Sequence, residues 1–95
     1  MKIKLMIDGQ EKTFDTGVQT ADAIFKAAEF EEEWKKEKTS IGQIRSMTNY
    51  VIEMYGNQFT EKDIRNGMSA NGFREELYNQ CFNVGREIAE KSKND

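Results

Sequence analysis

The chain contains no histidine and no proline, one cysteine, and only two leucines, Leu5 and Leu77. Each shortage excludes something. Without histidine, the commonest general base, the usual proton shuttle and most zinc sites are gone. A lone Cys81 can build neither an intramolecular disulfide, a Cys–His pair nor a thiolate cluster, and it suits a reducing compartment. The seven glycines are scattered from Gly9 to Gly85, so no glycine-rich loop is present to cradle a phosphate. No apolar run approaches the length of a membrane span. Met1 to Ile7 alternates lysine with apolar residues and lacks the continuous stretch of about 7–15 apolar residues that a signal peptide needs. The expectation is a soluble protein that works in the cytoplasm where it is made, with no membrane partner and no cofactor or metal.

Charge of one sign is also lacking. Fourteen basic residues face 17 acidic ones, for a net charge of −3. The densest charge run, Glu29 to Lys38, is acidic first and basic after, and largely cancels. Duplex-binding domains carry a clustered basic excess because phosphate neutralisation drives their affinity, so nucleic acid is not the expected partner.

Ninety-five residues form one domain, 1–95. A chain of this size buries only about 60–65% of the surface it exposes when unfolded. Here Leu, Ile, Val and Phe make up about one fifth of the residues, near the level at which folding alone becomes difficult. Oligomerisation or partner binding is a reasonable source of the missing stability.

The pattern that is present reads as α+β, mostly α: an N-terminal β-hairpin followed by three to four helices in a small bundle. Ile3, Leu5 and Ile7 share one side of an extended strand, and Asp8-Gly9 favours the positive φ angles of a tight hairpin turn. Glu11 to Asp15 is the return strand, so the hairpin spans 1–16 and the helical part 18–92, with a frayed tail at 93–95. From Thr20 to Lys38 the spacing is helical, with Thr16 or Thr20 as cap. This segment carries two stripes: Ala21, Ile24, Phe25 and Ala28, and beside them Ala23, Ala27, Phe30 and Trp34. A compact core needs one such stripe, and the second, set among Glu31, Glu32 and Glu33, is expected to face outward. Ser40 and Gln43 have capping-box spacing ahead of a helix carrying Ile41, Ile44, Met47/Thr48, Val51 and Met54/Tyr55, ending at Gly56. Thr60 caps a short helix stopped by Gly67. The last helix starts at Ser69 or Asn71 and carries Phe73, Leu77, Cys81, Val84 and Ile88, with Tyr78, Phe82, Gly85 and Ala89 beside them.

No constellation for catalysis emerges. The Glu31–Glu33 run reads as a solvated helix face, and Cys81, on an apolar stripe, as a small buried hydrophobe. Thr60 to Phe82 has the outline of a helix-turn-helix, but its second helix would bring Glu75 and Glu76 toward phosphates, with only Arg74 in favour. Phe30 and Trp34 are the leading protein-binding candidates, as aromatic anchors on a helix, unless they pack on the hairpin or the last helix. Tyr55, Phe59, Tyr78 and Phe82 complete the candidate set.

Tyr50 to Thr60 (YVIEMYGNQFT), then Asp63-Ile64 and Asn66-Gly67, resembles the central segment of tail assembly chaperones of siphovirus-type phages and prophages of Gram-positive bacteria. In that family an aliphatic-rich helix runs into a Gly/Asp-Asn-Gln-Phe-Thr connection, a short acidic helix and a glycine. The resemblance implies a non-catalytic protein of the host cytoplasm, absent from the mature virion. Such a protein binds and solubilises the tape measure protein, helps the major tail protein form the tube, and self-associates. It further implies that this chain is the shorter of two products separated by a ribosomal frameshift. Other phage structural or head–tail completion proteins, and a small interaction regulator, are the alternative readings of the same residues.

Overall fold

The computed structural model describes residues 1–82; the expected stripe positions Val84, Gly85, Ile88 and Ala89, the end of the helical part at 92 and the tail 93–95 lie outside the described residues. The chain runs β1 (Lys2–Ile7), β2 (Gln10–Asp15), α1 (Ala21–Lys35), α2 (Ser40–Met54), α3 (Glu61–Gly67) and α4 (Phe73–Phe82). An N-terminal hairpin followed by helices is the architecture the sequence predicts.

The hairpin closes as its dipeptide dictates. Asp8 and Gly9 both take positive φ, 52° and 77°, which matches the right-handed twist of the strands they join. Ile7 then pairs with Gln10 and Ile3 with Phe14. Ile3 and Leu5 point into the core while Lys2, Lys4 and Met6 stay exposed, so the period of two decides which face is covered.

Helix ends are fixed by local hydrogen bonds, and three of them correct the sequence reading. The side chain of Thr20, the residue preceding α1, makes no capping bond, and the Thr16 hydroxyl instead accepts from the Met1 amino group at 3.1 Å and from the Gln19 amide at 2.9 Å. Thr16 thus ties the chain start to the hairpin exit. For α2 the cap is Thr39 rather than Ser40: its hydroxyl accepts from the Gly42 N–H at 3.0 Å, while Gln43 reaches the Glu37 carbonyl. That cap also explains why α1 stops at Lys35, short of Lys38, since the chain must turn in the intervening residues. α4 begins at Phe73, after Gly72 at φ 77°, and not at Ser69 or Asn71. Ser69 instead accepts from the Asn71 N–H in a local turn.

The α2–α3 connection is built as predicted and bonded throughout. The Asn57 and Gly56 N–H groups donate to Ile52 and Glu53 carbonyls at 3.0 and 2.9 Å, closing the last turn of α2 while Gly56 takes φ 68°. The Gln58 amide donates to the Tyr55 and Asp15 carbonyls, pinning the connection to the hairpin exit. Thr60 and Asp63 then form a reciprocal capping box.

One core links all elements: Ile3 and Leu5 from β1, Val51 and Tyr55 from the α2 end, Ile64 from α3, and Leu77 and Cys81 from α4 are fully buried. α3 lies directly on β1. A Cβ added at Gly67 would sit 2.8 Å from the Met6 carbonyl oxygen and 3.2 Å from the Met6 nitrogen, so only glycine allows this approach. Across the same core the Gln80 carboxamide is held on all sides. It accepts from the Tyr55 hydroxyl at 2.7 Å and donates to the Lys2 carbonyl at 2.8 Å and the Glu76 carboxylate at 3.0 Å.

Two predictions follow from this packing. Gly67→Ala forces α3 off the strand backbone and costs about 1–3 kcal/mol, the range for overpacking; a melting temperature equal to wild type contradicts it. Burial pushes the Cys81 thiol up from 9.0 to about 12 and, with help from Cys81 and Glu53, the Tyr50 hydroxyl up from 10.0 to about 12. A raised pKa on an acid keeps its proton in the fold, so this stability is present below pH 9 and falls as pH rises toward 12. Urea titrations should show that decline, and native Cys81 should resist alkylation at pH 8 until the chain unfolds. Rapid labelling of the folded chain contradicts the assignment.

Candidate protein-binding surfaces

The sequence-predicted aromatic residues divide into two groups by where the fold places them. Tyr55 and Phe59 come from the α2–α3 connection. Tyr55 is 1% exposed, and Phe59 is buried with its ring 5.1 Å from Phe14 and 5.4 Å from Tyr55. Both side chains are buried in the fold, so the surface expected of them as binding residues is not exposed here. Their aromatic area holds the hairpin against the helices.

Phe30, Trp34, Tyr78 and Phe82 do come together, where the second half of α1 meets α4. Phe30 is the inner member, buried and stacked on Tyr50 with centroids 4.3 Å apart and planes 14° from parallel. Phe30 thus takes the core alternative, facing Tyr50 of α2 and Phe82 of α4. Phe82 bridges Phe30 at 5.5 Å and Trp34 at 5.0 Å, and Tyr78 closes the outer side at 4.4 Å from Phe82 and 6.3 Å from Trp34. Trp34 and Phe82 are half-buried and Tyr78 is 48% exposed. The outer tier therefore presents an aromatic surface at the rim of the core. The inaccessible Trp34 indole N–H finds no acceptor among the described residues. The neighbouring carboxylates are spent on exposed lysines: Glu31 and Glu32 on Lys35 at 3.8 and 3.6 Å, and Glu33 on Lys36 at 3.4 Å. They form a solvated acidic border.

The two stripes of α1 are exchanged relative to the sequence reading. Ala23, Ala27, Phe30 and Trp34 face inward, and Ala21, Ile24, Phe25 and Ala28 face out, with Phe25 68% exposed and Ile24 43%. The physical reason is length. The inward stripe continues over the whole helix, whereas the outward one gives way after two turns to Glu32 and Lys35. A helix docks along the stripe that runs its full length. The Lys26–Glu53 bond at 2.8 Å, from α1 to α2, holds that orientation at the surface.

Sequence reasoning missed a second apolar surface. A groove of about 330 Å³ opens between α2, α3 and the start of α4, floored by Ile44, Met68 and Phe73. Ile41 stands at its edge, 51% exposed. Ile41 reads in sequence as the first member of the α2 core stripe, yet in the fold it lies outside the buried cluster and lines the open groove.

Among the described residues no cluster of Cys, Asp and Glu is arranged to hold a metal ion, and no helix is long and apolar enough to cross a membrane. α4 opens with Glu75 and Glu76 in its first turn, as the sequence indicates.

A family model described as phage tail chaperone protein matches residues 1–95, the entire sequence. No curated protein and no solved structure matches the chain.

The unpaired Trp34 donor generates a test. Trp34→Phe loses ring area but removes a buried N–H without a partner, so its stability should stay within about 1 kcal/mol of wild type. Trp34→Ala should cost about 2–3 kcal/mol by opening the outer tier. Equal losses for both variants in chemical denaturation contradict this account.

Proposed function

The chain belongs to the phage tail chaperone family, and on that premise we propose that it binds and solubilises the tape measure protein during tail assembly. In this reading it acts in the host cytoplasm without catalysis, assists the major tail protein in forming the tube around the tape measure protein, and leaves before the virion is complete. The observation that supports it most directly is the outer aromatic tier. Trp34, Tyr78 and Phe82 form a contiguous apolar surface beside a border of exposed carboxylates.

An unassembled tape measure protein has long helical apolar stripes that would aggregate if left open. An aromatic surface covers such a stripe through burial of apolar area, and its acidic border keeps the complex soluble. Half-buried rings suit reversible capture because they are already ordered by their neighbours, so little conformational freedom is lost on binding. A second feature of the reading is self-association. The outward α1 stripe and the Ile41 groove leave apolar surface that the aromatic tier does not account for.

Co-expression of the chain with the protein of the long reading frame next to its gene tests the proposal. The tape measure protein should be soluble and co-purify only when the chain is present. Tyr78→Ala, at an exposed position, should leave the fold intact and weaken recovery by about tenfold or more, the effect of losing an interface anchor. Equal solubility without the chain overturns the function, and undiminished recovery with Tyr78→Ala overturns the surface. Presence of the chain in purified tails would place it among the structural components instead.

A further inference from the structure

The two apolar surfaces that the client site does not use are complementary to one another. The outward stripe of α1 is convex, a helix face of Ala21, Ile24, Phe25 and Ala28. It is flanked by acid: Asp22 and Glu29 stand beside Lys26, whose ammonium is already held by Glu53 at 2.8 Å, and further along Glu31 and Glu32 share the single ammonium of Lys35. The groove beside Ile41 is concave and its charge is of the opposite sign. Arg45 and Arg65 line it against one carboxylate, Glu61, and neither arginine makes an ion pair among the described residues.

Within one chain the two surfaces cannot meet. Phe30 anchors α1 on Tyr50 of α2, so the stripe points away from the helix that forms one wall of the groove. We propose that the outward stripe of α1 in one copy docks in the Ile41–Phe73 groove of a second copy, with Phe25 as the inserted anchor. This rests on the self-association reading above and assigns it surfaces. Pairing of α1 with α1 about a two-fold axis is disfavoured because it would bring two acid-flanked faces together, whereas stripe into groove brings acid to arginine. Met68 on the floor suits such a site, since an unbranched thioether adapts to the side chain that enters.

The contact is heterologous, since each copy gives one surface and receives on another. Association therefore does not stop at a dimer but continues to a ring or an open array. One helix in one groove is a small interface, so assembly is weak and concentration-dependent. The aromatic tier on the other face of α1 stays free for the client in every copy.

Sedimentation of the full chain between about 1 and 100 µM, the range expected for a small contact, reads the proposal. Wild type should grow beyond a dimer as concentration rises. Phe25→Lys and Ile41→Lys should each weaken association by about tenfold or more. Both positions are exposed, and a lysine at 25 gains Asp22 and Glu29 as helix neighbours, so unchanged circular dichroism is expected. Mixed together, the two variants should form a one-to-one dimer that goes no further, because only one intact stripe and one intact groove face each other. A wild type that stays monomeric sinks self-association altogether. Association that survives Ile41→Lys but not Phe25→Lys, or a mixture that stays monomeric, overturns the stripe-in-groove contact while leaving self-association standing. Tape measure recovery depends on Tyr78 and is read separately.

Discussion

The arrangement of this protein depends on the buried carboxamide of Gln80. Its oxygen accepts from Tyr55, and its nitrogen donates to the Lys2 carbonyl and to Glu76. One side chain therefore joins the first strand, the end of α2 and α4. An amide taken from water must have its hydrogen bonds replaced, so the fold tolerates Gln80 only where all three partners are in place. The apolar contacts around it are non-directional and would accept several offsets between hairpin and helices. The carboxamide accepts one. Gly67 works in the same direction from the other side of the strand, by letting α3 approach the Met6 backbone more closely than a side chain permits.

These constraints give the segment from Tyr55 to Gly67 a structural meaning. Tyr55 supplies the hydroxyl for Gln80, and Gly56 and Asn57 take the positive φ values that end α2. Gln58 pins the connection to the hairpin exit, Phe59 fills the space beneath it, and Thr60 with Asp63 starts the next helix. The most distinctive stretch of the sequence is the part that fixes hairpin to helices. The apolar surface left exposed among the described residues lies elsewhere, on α1, on the outer edge of α4 and beside Ile41.

That separation leaves the exposed apolar areas independent of the segment that fixes the fold. Among the described residues, one core is sealed and three apolar areas are left open. They differ in shape and border: a tier of mutually inclined aromatic rings with acidic surroundings, a convex aliphatic stripe with an aromatic centre, and a concave groove with arginines. Different borders direct different partners, because a charge pressed against its like is costly wherever water is excluded.

The sequence by itself determined the local elements. Alternation placed Ile3 and Leu5 inward, Asp8-Gly9 closed the hairpin, Gly56 ended α2, and Thr60 began α3; each depends on residues a few positions apart. It also determined that apolar surface exceeds what one core takes up. Only the tertiary structure decided which surface is the excess. Two adjacent stripes run along α1, and although the inward one is the longer, its docking also needs Tyr50 of α2 and Phe82 of α4, both distant in sequence, which receive Phe30 and Trp34. Likewise Ile41 fits a core stripe by spacing yet lies outside the buried cluster, at the edge of an open groove. Periodicity reports that a face is apolar, while burial depends on whether another element arrives to cover it.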